Sequence, residues 1–208
     1  PVKNKFPQQN WVVDMAMRQA RLGATAIRDN NTDFMYNNLM NKFHFGGANI
    51  GGVYFDEENR RHLLSVRATY AEAAGNLADT GKLQEANNLL QKVEASIKPA
   101  NLPYAMASRY NSHNQTAIIF LEAAYKAGNQ QLAQKLSTAI RNDLNNQKKY
   151  YDYMRTEHEE LYQTLITESQ INEIMLQVFD AVQKNYTTPR AAEHSESVGN
   201  AADSTRQR

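Results

Sequence analysis

At 208 residues the chain can bury a core of its own, either as one domain or as an elongated repeat body without a single centre. Its 23 Lys+Arg against 22 Asp+Glu give a formal charge of +1, so no global field draws in nucleic acid or an anionic membrane. Cysteine is absent, and disulfides, thiolate nucleophiles and Cys-based zinc sites go with it, a composition compatible with periplasm or cytoplasm.

The chain opens Pro1-Val2-Lys3, with neither an initiator Met nor a charged-then-apolar leader, and is expected to be excised from something longer or processed. Residues 10–28 interleave Trp11, Val12, Met15, Met17, Ala20, Leu22 and Ala24 with Arg18, Arg21 and Arg28, a pattern that predicts a helix. Thr32 follows as a candidate N-cap, with Asp33 in the first turn and Tyr36, Met40 and Phe43 on one stripe, and Gly46-Gly47 is expected to stop that helix. Gly51 to Phe55 reads as an extended connection, because glycines break helices while Val53, Tyr54 and Phe55 suit a docked or pleated segment. Asp56 caps what comes next.

From Glu57 to Asp79 the residues Leu63, Leu64, Val66, Tyr70, Ala73, Ala74, Leu77 and Ala78 recur at threes and fours, the period of a helix of about six turns. Gly81 ends it, and a second helix over Lys82–Ile97 turns Leu83, Ala86, Leu89, Leu90 and Val93 inward before Pro99. Tyr70, Ala74, Leu77, Gly81, Leu83, Ala86, Leu90 and Val93 follow the large, small and turn-glycine order of a tetratricopeptide-like hairpin. A weaker copy places Gly128 and Ala133 at the same offset, 47 residues on, among Phe120, Leu121, Ala124, Leu136 and Ile140. That spacing exceeds the usual repeat of about 34, so the segment around Pro99, Pro103 and Tyr104 is expected to be an inserted loop.

Ser112 with Gln115 and Thr156 with Glu159 have capping-box spacing and predict the starts of the third helix and of the last long one, which runs to about Lys184. The last helix presents Leu161, Leu165, Ile171, Ile174, Met175, Val178 and Val182. The longest clear apolar run, Ala117 to Leu121, falls far below the roughly 18 to 20 residues a membrane span needs. The fold class expected is therefore all-α, antiparallel hairpins in a tetratricopeptide-like superhelix. Residues 1–31 form a helical lead-in, 32–186 the body and 187–208 a polar tail too poor in apolar residues to offset its ordering entropy.

Motifs for chemistry are weak. His158-Glu159 lacks the second imidazole of a zinc-protease helix, because Tyr162 stands four residues on. His44, His62, His113 and His194 are scattered, and the glycine pairs at 46–47 and 51–52 match neither a phosphate loop nor a dinucleotide fingerprint. No catalytic, metal or cofactor residue is assigned. Lys148 to Tyr153 places three tyrosines at an expected helix end, where packing around a chain reversal is favoured over a sugar or peptide groove. Tyr54, Asp56, Glu57, Arg60, Arg61 and Arg67 make the one candidate interaction surface. Acidic residues there precede arginines by three or four positions, so Arg60 and Arg61 are expected to bridge to Asp56 and Glu57, either as a self-paired helix start or as a docking face.

Taken together, Met35 to Phe43, Gly46-Gly47, Val53 to Arg61, Arg67 and the hairpin ending near Pro99 resemble one family. It is a bacterial membrane family of unknown function, frequent in Bacteroidetes and related to the protein O-mannosyltransferases of the GT-C type. Its members have many membrane spans followed by a helical C-terminal region, and the chain looks like that region over residues 32–145. The resemblance implies a parent that moves a sugar from a lipid-linked donor, with its acidic catalytic residues outside this fragment and this part on the periplasmic side of the inner membrane. The partners implied are the transmembrane part of the parent chain and an acceptor protein or peptide. Two rivals stand beside it: a free-standing repeat adaptor or lipid-anchored glycan-binding protein, and a soluble enzyme with a site around His113 or Glu157 to Glu160.

Overall fold

The computed structural model describes residues 32–187, so the lead-in helix expected over 10–28 and the tail beyond Thr187 lie outside the described residues. The fold is all-α. Seven helices follow in order: α1 (Thr32–Asn41), α2 (Glu57–Asp79), α3 (Leu83–Ser96), α4 (Ser112–Lys126), α5 (Gln130–Glu157), α6 (Glu159–Tyr162) and α7 (Ile166–Thr187). A single 3-10 turn, Arg109–Asn111, leads into α4, and the described residues contain no strand.

The helix starts and stops follow from local chemistry. Asp56 has extended backbone and its Oδ1 accepts the Asn59 backbone N–H at 2.8 Å, while Glu57 and Glu58 set negative charge on the first turn of α2. At the other end Gly81 takes φ +82°, and Lys82 N–H reaches back to the Leu77 carbonyl at 2.9 Å. The second hairpin repeats the device. Gly128 takes φ +72°, and Asn129 N–H donates to the Ala124 carbonyl at 2.8 Å. Ala86 and Ala133, five residues after each glycine, are both buried, as the offset predicts.

Each tight turn makes its two helices antiparallel, α2 with α3 and α4 with α5. The hairpins join through α2 and α4, whereas α3 meets α4 only marginally. These first helices run parallel: Arg67 and His113 bond the same carbonyl, Gly75 lies against Ala123, and Asp79 meets Lys126. Small side chains permit the approach, since a Cβ built on Gly75 would stand 4.0 Å from the Ala123 methyl. Helix α1 rests on α2 and α3, and α7 lies along α5 and reaches α4. One core runs through the stack, with Leu39, Tyr70, Leu77, Leu90, Phe120, Leu136, Ile140 and Phe179 all fully buried.

Several expectations are corrected. Helix α1 ends at Asn41, before the glycine pair, and Phe43 lies beyond it, 41% exposed with its ring edge on Tyr70. Leu83 is exposed because it occupies the first position of α3, outside the seam. The start of α4 is placed correctly, but Ser112 caps nothing: the Ser108 hydroxyl accepts the His113 N–H at 2.9 Å. Thr156 begins no helix. Its hydroxyl donates to the Asp152 carbonyl at 3.0 Å inside the last turn of α5, and the last long helix begins at Ile166. Leu161, expected on its inner stripe, is exposed on α6, while Phe179 takes the central place. The tyrosines at 150–153 are therefore inside α5, and Tyr153 closes on His158 at the reversal, with hydroxyl to Nε2 at 3.2 Å.

The inserted loop, 97–108, is tied down by polar groups. Asn101 donates to the carbonyls of Ala48 and Ile50 at 2.7 and 2.9 Å, and Tyr104 donates to Glu94. Where the loop enters α4, Tyr110 and Asn111 both lie in the left-handed region, at φ 54° and 53°. Buried Asn111 there bonds Gln147 of α5 at 3.1 Å, and the Asn114 amide donates to Asp143 at 2.7 Å. Asn172 of α7 completes this amide cluster by donating to the Leu144 carbonyl at 3.2 Å. Buried amides paired this way fix the angular position of α7 on the second hairpin.

Candidate interaction surface

At the start of α2 and just before it, four of the six expected positions are exposed: Tyr54, Asp56, Glu57 and Arg61. Tyr54 is 83% exposed at the end of the extended connection, and Phe55 beside it is buried, which anchors the segment. Asp56 and Glu57 are exposed, but the expected ion pairs to Arg60 and Arg61 do not form. Asp56 is occupied by Asn59, and Arg61 turns instead to Glu58, one residue nearer, Nη2 to Oε1 at 2.5 Å. Three-residue spacing wins because the cap fixes Asp56 toward the helix end. His62 adds a contact to the same Glu58 carboxylate at 3.0 Å, and the hydrogen bond from Arg61 holds Glu58 below the usual carboxylate range. Arg60 is half-buried, and its Nε is sealed from solvent without a partner.

Arg67 does not share that surface. It is 2% exposed, and its two terminal nitrogens donate to the carbonyls of Leu102 and Pro103 at 2.8 and 2.7 Å. The guanidinium stands 5.7 Å from the centre of the Tyr104 ring. Burial lowers its pKa to about 10, so it remains charged at neutral pH with carbonyl dipoles and an aromatic face in place of water. His113 donates Nε2–H to the same Pro103 carbonyl at 2.9 Å. Burial, with the Arg67 charge adding to it, pushes this imidazole below its ordinary pKa of 6.5. The Arg67 guanidinium and the neutral His113 imidazole together clamp the inserted loop to the hairpins. The enzyme rival placed around His113 thus meets a buried side chain engaged by backbone, and Glu157, Glu159 and Glu160 are exposed. Among the described residues no group of three or more His, Asp or Glu is placed to hold a metal ion.

A second region escaped the sequence reading. On the outward face where α2 and α4 lie side by side, Lys126 meets Asp79 at 3.0 Å and Glu122 at 3.5 Å. Tyr186 of α7 donates to the same Glu122 at 3.3 Å and stacks on Tyr125, with centroids 5.2 Å apart. Two turns before Asp79 stands Glu72, level with Ile119 two turns before Lys126. Glu72 is half-buried and has no hydrogen-bond or ion-pair partner among the described residues, and desolvation raises its carboxyl above the usual range. The signal for this face was present. Glu72 and Ile119, like Asp79 and Lys126, are separated by the same 47 residues as the two turn glycines.

No helix among the described residues is long and apolar enough to cross a membrane. No protein-family model, curated protein or solved structure matches the chain.

Proposed function

We propose that this chain is the recognition and docking part of a larger, membrane-embedded, glycosyltransferase-like protein, built from tetratricopeptide-like hairpins. It binds and positions an acceptor, or docks the transmembrane part of its own parent, and the sugar transfer belongs elsewhere in that parent. The observation that carries the reading is the repeated hairpin. Two hairpins built on the same glycine turn set their first helices parallel, and such stacking leaves an extended face suited to a peptide or a neighbouring domain. Tyr54 supports it, because a tyrosine 83% exposed beside a buried anchor suits a partner's surface better than it suits water. The GT-C assignment and the periplasmic placement rest on the resemblance of residues 32–145 to the bacterial membrane family.

A photo-crosslinking amino acid at Tyr54, in the native protein and its own cells, tests the docking role. The expected result is a discrete adduct with the membrane part of the parent chain or with an acceptor, absent when the crosslinker replaces exposed Gln91 on α3. Equal labelling from both positions, or none from Tyr54, removes the proposal.

A further inference from the structure

The outward face of α2 and α4 carries three carboxylates, Glu72, Asp79 and Glu122, and one ammonium, Lys126, which Asp79 and Glu122 share. Glu72 is left over. Ala68 stands one turn back on the same face, and by the register of Asp79 with Lys126 the residue level with Glu72 on α4 is Ile119, which packs on the core. Of the arginines of α2, Arg61 is taken by Glu58, Arg67 is buried on the loop carbonyls, and Arg60 lies more than three turns before Glu72. A half-buried carboxylate without a cation is an unfavourable arrangement that a ligand can relieve. Its aliphatic flanks match the methylene stem of a long basic side chain, whose charged end would reach the carboxylate.

We propose that this face docks an extended basic segment of a partner protein, with one lysine or arginine laid along Ala68 and Ile119 and its charged end on Glu72. Charge complementarity chooses the occupant. An excess of carboxylate repels anionic lipid headgroups and nucleic acid, and a single unpaired carboxylate does not make a metal site. The inference rests on the docking role proposed above and specifies the chemistry of the partner.

The test is direct titration of the full chain with fluorescein-labelled ten-residue Gly/Ser/Ala peptides carrying a central Lys-Ala-Arg, or Glu-Ala-Glu as the counterpart. The basic peptide is expected to bind saturably and to weaken at least tenfold with Glu72→Gln, whereas Glu122→Gln weakens it less because Lys126 already occupies that carboxylate. Glu72→Gln is isosteric and removes a desolvated charge, so its thermal unfolding should match or exceed that of the unchanged protein, which separates lost binding from lost folding. Equal binding by the unchanged chain and Glu72→Gln, no binding by either, or preferential binding to phosphatidylglycerol vesicles overturns the inference. If the Tyr54 adduct persists in that case, the docking role stands and only the basic-segment assignment falls; if the adduct is also missing, both fall.

Discussion

Arg67 was selected in the sequence for the company it keeps with other arginines, and the structure gives it a different task. Among the described residues its guanidinium is the only charged group tying the Leu102 carbonyl, while Pro103 keeps His113 as a second donor. Arg67→Met should therefore leave one carbonyl orphaned and cost about 2 to 3 kcal/mol, read as a lower urea midpoint at unchanged slope. His113 makes stability depend on pH. Its pKa is lowered on folding, so the unfolded chain binds more protons at mildly acidic pH. Its contribution is complete above 6.5, falls as pH drops from 6.5 toward the folded value, and is flat below that. Comparing denaturant midpoints at pH 7.5 and 5.0, the loss on acidification should shrink in His113→Gln, and an unchanged loss would remove the assignment. Residue types at this scale were legible, but their burial was not. By helical period Arg67 falls on the inner face of α2 with Leu63, Tyr70 and Ala74, unlike the exposed Arg61, but the carbonyls that make an arginine tenable there belong to loop 97–108, which no local signal places over it.

Among the elements, the hairpins were the most legible because their signals are local. A glycine at the required left-handed position, a small residue five later and an apolar stripe are enough to specify each turn. The two turns share backbone hydrogen bonds and open space around the glycine, since nothing lies within 4 Å of a Cβ built on Gly81 or Gly128. Gly81→Ala and Gly128→Ala should then each cost about 1 kcal/mol through backbone strain alone, and by similar amounts. Thermal melts of both variants check this; a several-fold difference would mean that the two turns are not equivalent. The failures at this scale are also physical. Capping spacing at Thr156 and Glu159 predicted a start where α5 continues, because a threonine hydroxyl can bond back to a carbonyl in a helix's last turn as readily as it caps a first one. Phe179 was left out of the expected stripe of α7, yet it is fully buried, with Arg141 of α5 over its ring at 4.7 Å.

Across the whole molecule the parts make one body because the core does not break between hairpins. Tyr70 on α2, Phe120 on α4 and Phe179 on α7 belong to one buried cluster, and the amides of Asn111, Gln147 and Asn172 tie the turn before α4 to α5 and α7 by hydrogen bonds. The all-α class and hairpin order were readable from period and turn chemistry. The face formed by α2 and α4 was not, since it exists only when residues far apart in sequence come side by side. The pairing offset of 47 residues would have revealed it had it been applied to charges as well as to glycines. The central claim is that this body serves a larger membrane protein as its docking part. An immunoblot of separated membrane and soluble fractions of the source cells, with an antibody raised against this chain, tests it most directly. The account predicts a membrane band several-fold larger than the 23.6 kDa of this chain, and a soluble band near 23.6 kDa would contradict it.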